Sequence, residues 1–228
     1  MEQTFIEAKL VSKKEIAKDV IELRFTKPLD FSFKAGQFVQ FQIPTANSPV
    51  LRSYSLSSNP SDPDLELCIK KIPNGTGSTF FDSLPIGGSV NISLPKGRFT
   101  VEANNLPLAF IATGAGLAPI MSIISDELVN KKNPETLYLL FGVRSEEDLF
   151  WLDRLNSLQE KYSNFKYGIT LSQPTQSWQG LSGRVTNHFD FENIQHFYLC
   201  GNTEMVKDAR ELLIAKNIPA SQIHFEIF

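Results

Sequence analysis

Two glycines after an apolar, strand-like run carry the strongest chemical signal in the sequence. Ala109-Phe110-Ile111-Ala112-Thr113 leads into Gly114-Ala115-Gly116-Leu117-Ala118-Pro119, and an apolar helix-like stretch, Ile120–Val129, follows. A strand, a tight Gly-x-Gly turn and a helix start together offer backbone N–H groups to a pyrophosphate. The glycines admit positive φ and close approach of a ligand to the main chain. Pro119 stands where a full Gly-x-Gly-x-x-Gly pattern has its third glycine. It costs little there, because N–H groups of a first helical turn lack helical partners. An ordinary βα turn accounts for the same glycines. The usual dehydrogenase site also wants an acid after the second strand, to hold ribose hydroxyls. Here Phe141-Gly142-Val143 runs into Arg144, so that arrangement does not apply.

Other segments could cooperate with this turn. In Leu51–Ser58, strand alternation places Arg52, Tyr54 and Leu56 on one face and Ser53, Ser55 and Ser57 on the other. Arg52 offers a fork of donors to a phosphate, and Tyr54 a flat surface for a conjugated ring. Ser55 can hydrogen-bond a ring heteroatom. A half-exposed edge strand would look the same. Gly75-Thr76-Gly77-Ser78-Thr79 opens a short helix, and is either a second anion site or a simple N-cap turn. Cys200-Gly201-Asn202 follows an apolar strand, at an edge where open α/β sheets bind ligands, although a lone cysteine more often packs. Glu226-Ile227-Phe228 closes the sequence, an acid near an aromatic that could equally be a packed end.

Elements able to position these residues fall into two series. Phe5–Lys14, Val20–Phe25, Gln37–Ile43, Leu51–Ser57, Leu65–Ile72 and Ser89–Leu94 read as strands, with one helix at Ser78–Leu84. Their spacing predicts a six-stranded antiparallel barrel. After that, strands at 108–113, 136–142, 165–171, 195–200 and 222–227 alternate with helices at 117–130, 148–162 and 203–216. Such alternation predicts a parallel sheet with helices on both faces. Ala103-Asn104-Asn105 marks the boundary, giving domains at 1–102 and 103–228. The length of 228 residues suits two such domains.

Composition narrows the function. A net charge of −3 argues against nucleic acid and for small molecules or a partner protein. Only Cys68 and Cys200 are present, without a Cys-x-x-Cys pair, which excludes a zinc ribbon or an iron–sulfur cluster held by this sequence alone. Low cysteine usage, a Met1-Glu2-Gln3-Thr4 start without signal-peptide character and no membrane-length apolar run point to a cytoplasmic protein.

Arg52-Ser53-Tyr54-Ser55, Gly75–Thr79, Gly114-x-Gly116-x-x-Pro119 and Cys200-Gly201, in that order over barrel then sheet, resemble the ferredoxin–NADP reductase superfamily of flavoprotein reductases. Proline is common at the Pro119 position in that family's nucleotide turn. The resemblance implies an FAD site, rather than FMN, from Arg52, Ser53, Tyr54, Ser55, Ile69, Lys70, Gly77, Ser78, Thr79 and Phe228. It implies a nicotinamide dinucleotide site from Thr113, Gly114, Gly116, Leu117, Ala118, Pro119, Arg144, Cys200, Gly201 and Asn202. Ser55, Cys200 and Glu226 become the catalytic candidates, with Cys200 beside the nicotinamide C4 and Phe228 over the second flavin face. The implied activity is hydride transfer from NADH or NADPH to FAD, with electrons passed to a separate redox protein. The alternatives are a reductase of free flavin and a non-catalytic electron-transfer subunit. Gln173 stands where NADPH-specific relatives carry arginine, and Gly180–Thr186 resembles bacterial oxygenase reductases. Both favour NADH.

Overall fold

The computed structural model describes residues 4–102 and 105–228. The first half is a six-stranded antiparallel barrel. Its strands are β1 (Phe5–Ala17), β2 (Val20–Thr26), β3 (Phe38–Ile43), β4 (Val50–Ser55), β5 (Asp64–Lys70) and β6 (Ser89–Ser93), in the order β4-β3-β6-β1-β2-β5. A Leu56–Leu67 bridge brings the end of β4 back to β5. Alternation on β3 turns Val39, Phe41 and Ile43 inward. Helix α1 (Thr76–Ser83) inserts Phe81 between Phe25 and Phe41, with ring centroids 6.2 and 5.2 Å away. The Lys13 ammonium donates to the carbonyls of Phe81, Asp82 and Leu84 at 2.7, 2.8 and 3.2 Å. That cation satisfies the carbonyl end of α1, where the helix dipole favours it.

The second half is a parallel sheet. β7 (Leu108–Thr113), β8 (Leu137–Val143), β9 (Phe165–Leu171), β10 (Leu181–Ser182), β11 (His196–Gly201) and β12 (Ile223–Ile227) run in the order β10-β9-β8-β7-β11-β12. Helices α2 (Leu117–Ser125) and α3 (Leu152–Lys161) pack on the face that carries Phe110, Ala112, Leu139 and Phe141. The barrel's Val20, Cys68 and Phe99 join the same cluster. Helix α4 (Thr203–Ala215) covers the opposite face through Ala109, Ile111, Phe197 and Leu199. Strand order reverses at β7, between β8 and β11. That switch point opens a crevice at the carboxyl ends of both strands.

Both expected architectures are present, with local differences. β1 runs on to Ala17, past two register shifts. The expected helix from 148 begins only at Leu152. Ser145 and Asp148 form a capping box around a short 3-10 turn, and Trp151 then takes a left-handed φ of 58°. Helix α2 closes in a π turn at Asp126–Asn130, and β10 is an edge strand too short for a sequence pattern. Of the expected boundary, Ala103 and Asn104 lie outside the described residues. No helix among the described residues is long and apolar enough to cross a membrane.

Candidate functional site

Strand β4 and helix α1 bring the first group of candidates together. Arg52 and Ser53 are exposed, while Tyr54 and Ser55 are half-buried. A Cβ on Gly77 would collide with the Tyr54 hydroxyl, so the tyrosine tip lies directly against the first turn of α1. The ring meets Phe41 and Phe81 at steep angles of 76° and 73°, and burial pushes its phenol pKa up, against the pull of Arg52. Gly75 occupies the N-cap of α1, so no side chain caps the helix. Thr79 N–H closes on the Gly75 carbonyl at 2.9 Å. The amides left for a ligand are therefore those of Thr76, Gly77 and Ser78. The Ser78 oxygen accepts the Ile72 N–H at 2.8 Å, which fixes the hydroxyl and leaves its proton to donate. The Ser78 amide and hydroxyl proton therefore both remain for a ligand, while Thr79 has its amide engaged and offers its hydroxyl. Ile69 is 4 % exposed within the barrel core, which leaves only its main chain to meet a ligand.

Ser55 is one link between the halves. Its Oγ donates to Glu226 Oε1 at 2.7 Å, across 171 residues of sequence. Glu226 stands on β12 in register with Cys200 of β11. Burial holds the Glu226 carboxyl above the usual 4.5, with the Ser55 hydrogen bond acting against that shift. A raised carboxyl in a hydrogen bond is suited to holding or releasing a proton. Cys200 is fully buried, and burial, with Glu226 adding to it, pushes its thiol well up. It is therefore a packed neutral thiol beside the acid, without thiolate character.

The second group surrounds a cleft of about 710 Å³ bordered by Thr113, Gly114, Arg144, Asn202 and Phe228. Gly114 has φ of +53° and open space where a Cβ would stand. The Thr113 hydroxyl is buried without a partner among the described residues, an orphan that a ligand in the cleft could satisfy. Gly116 and Gly201 serve a different end. A Cβ on Gly116 would strike the Cys200 carbonyl, and one on Gly201 the Thr113 hydroxyl, so both glycines let the turn and β11 approach each other. Leu117, Ala118 and Pro119 are buried, and their side chains pack instead of facing the cleft. Asn202 borders the cleft and also caps α4 by accepting the Met205 N–H at 2.9 Å.

Further candidates border the same cleft. Lys70, expected with the first group, borders this cleft, with its ammonium 2.8 Å from the Lys18 carbonyl and 3.8 Å from Asp148. Arg144 reaches the cleft with its Nε on Gln173 Oε1 at 2.8 Å. Phe228 is 60 % exposed, and its amide is 3.4 Å from the Gly201 carbonyl. Sequence reasoning missed Asp148, Glu204 and Asp208, which line the cleft from loops and from α4. Only the helix start after Asn202 gave a signal for any of them.

Comparison with known proteins accords with this geometry. Residues 7–101 match an oxidoreductase FAD-binding domain and residues 110–211 an oxidoreductase NAD-binding domain. The sequence is 32 % identical to ferredoxin–NADP reductase B of Sorangium cellulosum, over 96 % of both chains. It is 33 % identical to the ferredoxin–NAD(P)(+) reductase component of a naphthalene 1,2-dioxygenase/salicylate 5-hydroxylase system from a Ralstonia species, over 91 % of this chain and 63 % of that one. The chain thus spans about three fifths of such oxygenase reductases. Among solved structures, a ferredoxin–NADP+ reductase from Neisseria gonorrhoeae with bound FAD and NADP superposes with a TM-score of 0.86, 26 % identity and 99 % coverage of both chains. A barrel, a doubly wound sheet and a nearly full-length match to a ferredoxin–NADP reductase lead to one conclusion. The chain belongs to the ferredoxin–NADP reductase superfamily of FAD- and NAD(P)-dependent oxidoreductases.

Proposed function

We propose that the chain is a reductase that takes electrons from NADH through FAD to a separate redox protein. FAD, when bound, supplies a ring that accepts a hydride and gives electrons up singly or in pairs. The observation that carries the proposal is the Ser55–Glu226 hydrogen bond. It sets the barrel strand with Arg52 and Tyr54 beside the β11–β12 edge of the dinucleotide cleft.

The residues present fit FAD. Helix α1 begins without a side-chain cap, and its free amides with exposed Arg52 offer opposite charge to a pyrophosphate. Tyr54 presents a ring beside that turn, and Ser55 a hydroxyl held in place by Glu226. In this reading Ser55 and Glu226 hold or move a proton at Oγ and Oε1, while Cys200 stays neutral and fills the space beneath the reacting end. Thr113, Gly114 and the amides of the following turn orient the dinucleotide. Phe228 borders the same space and yields it when a nicotinamide enters.

The cleft supports NADH over NADPH. Arg144 is engaged by Gln173, and Arg184 lies 3.9 Å from Asp208. Asp148, Glu204 and Asp208 line the same cleft and offset Lys70, Arg144 and Arg184 there, so the preference rests on the neutral Gln173 that holds Arg144. We place the flavin half at residues 1–102 and the nucleotide half at 103–228, and, on low cysteine usage, the protein in the cytoplasm. Purified protein loaded with FAD and passed through gel filtration tests the reading. Yellow protein that reduces ferricyanide faster with NADH than with NADPH is expected. Colourless protein that turns over only with added flavin would make flavin the substrate, and no turnover with any acceptor would overturn the reading.

A further inference from the structure

We infer that Arg154 is a positioning residue that fixes the nucleotide half on the flavin half at the segment just after the strand that carries Ser55. The inference rests on the reductase reading for its consequence, while the latch itself rests on geometry alone. Arg154 projects from α3 into the barrel. Its Nη1 donates to Glu66 Oε1 at 2.8 Å, and its Nη2 to Glu22 Oε2 and Glu66 Oε2 at 2.6 and 3.2 Å. The guanidinium lies over the Trp151 ring at 4.8 Å, and Trp151 Nε1 donates to the same Glu22 oxygen at 2.8 Å. Arg24 closes the cluster on Glu66 Oε2 at 2.7 Å. Both carboxylates are buried, at 9 % and 6 % exposure.

The cluster continues into the segment after β4. Ser57 Oγ donates to Glu66 Oε1 at 3.0 Å, Ser57 N–H to the Glu66 carbonyl at 2.8 Å, and Glu66 N–H to Ser58 Oγ at 3.1 Å. From the sheet half, Ser122 of α2 donates to the Ser58 carbonyl at 2.6 Å. Arg154 thus grips, through Glu66, the residues two and three positions beyond Ser55. Buried ion pairs add little stability over apolar groups of similar shape. A planar fork on two fixed carboxylates instead specifies direction and distance. Hydride transfer depends on such alignment, where a misplacement of about 1 Å costs roughly a hundredfold in rate.

Two variants separate alignment from folding. Arg154→Lys keeps the charge and loses the fork. Arg154→Met combined with Glu22→Leu and Glu66→Leu replaces the three linked groups by apolar ones and leaves Arg24, with a side chain 42 % exposed, to water. Two readouts are taken on each: amide hydrogen exchange at Ser57–Asn59 in the protein without cofactors, and the rate of flavin reduction at saturating NADH in the loaded protein. Both variants should exchange faster at Ser57–Asn59. With flavin content and NADH affinity kept, both should reduce flavin about tenfold or more slowly. A folded, loaded apolar variant that matches the parent in exchange and rate would overturn the inference. Absence of flavin and nicotinamide binding in the parent would remove the reductase reading, and the exchange readout would still decide the latch.

Discussion

The seam at α3 joins barrel to sheet through two carboxylates, two guanidinium groups and a tryptophan, whereas the seam at β12 joins them through one hydrogen bond between Ser55 and Glu226. The first is charged, multiply bonded and directional. The second is a single contact to an acid that burial biases toward its neutral form. A multiply bonded ion cluster resists displacement, because releasing one member strands another charge out of water. A lone hydroxyl–carboxyl contact can open, exchange a proton and close again. The division suits a machine that must keep two halves in register while part of their junction takes up protons and ligands.

Mutations at the two seams should therefore differ in kind. Arg154→Ala should have the largest effect, leaving two buried carboxylates to share the single guanidinium of Arg24. A stability loss of about 3 kcal/mol is expected in urea unfolding, at the low end for a buried pair because the arginine side chain is 31 % exposed. A loss no greater than for an ordinary surface substitution would put the two seams on an equal footing.

Gly77→Ala comes next and acts at the flavin half alone. The new methyl would meet the Tyr54 hydroxyl, so the ring or the first turn of α1 must shift. An overpacking cost of roughly 1–3 kcal/mol is expected, and it should appear in FAD retention more than in NADH affinity. Equal losses in both would show that the α1 turn and the cleft respond as one site.

How legible these regions were in the sequence follows the same division. The barrel and the sheet could be read because strand alternation and the βα rhythm are local patterns. The turn at Gly114 and the Arg52–Ser55 strand could also be read, since short motifs mark them. Gly116 was legible as a glycine, yet its reason was not, because the Cys200 carbonyl it accommodates lies on a strand 84 positions later. Ile69 carried no sign that its side chain faces the barrel core. Glu66 sits between Leu65 and Leu67 on a strand buried along most of its length. An acid inside such a run hints at a partner, but only the folded chain brings Arg154 to it across 88 residues. Long-range polar pairing leaves no periodic trace.

At β12, Ser55→Ala should give a smaller effect, about 0.5–1.5 kcal/mol, and a characteristic pH response. The Ser55 hydrogen bond lowers the Glu226 pKa, so its removal should move the carboxyl titration in the pH–rate profile upward. The sign for stability follows from linkage. A carboxyl raised above 4.5 in the folded state opposes folding above its folded pKa, and that penalty disappears as pH falls toward 4.5. Glu226→Gln should flatten the corresponding part of the melting-temperature profile, and an unchanged profile would remove Glu226 as a buried titrating group.

The smallest effect is expected further along β11 and β12. His196 Nδ1 and His224 Nε2 lie 2.9 Å apart with stacked rings, and Tyr198 stacks on His224. Burial lowers both histidine pKa values below 6.5, with His196 adding to the shift of His224. The unfolded chain then binds protons first, so stability should be full above about pH 6.5 and decline as pH falls through the folded values. His196→Gln should reduce that decline in melting temperature, and a steeper decline would contradict the assignment.

The most direct test of the central claim is anaerobic reduction of the FAD-loaded protein, followed in the visible spectrum. NADH should bleach the flavin absorbance with one equivalent per site and faster than NADPH, and Ser55→Ala should slow the bleaching without releasing flavin. Protein that binds FAD but is bleached by neither nicotinamide would contradict the account.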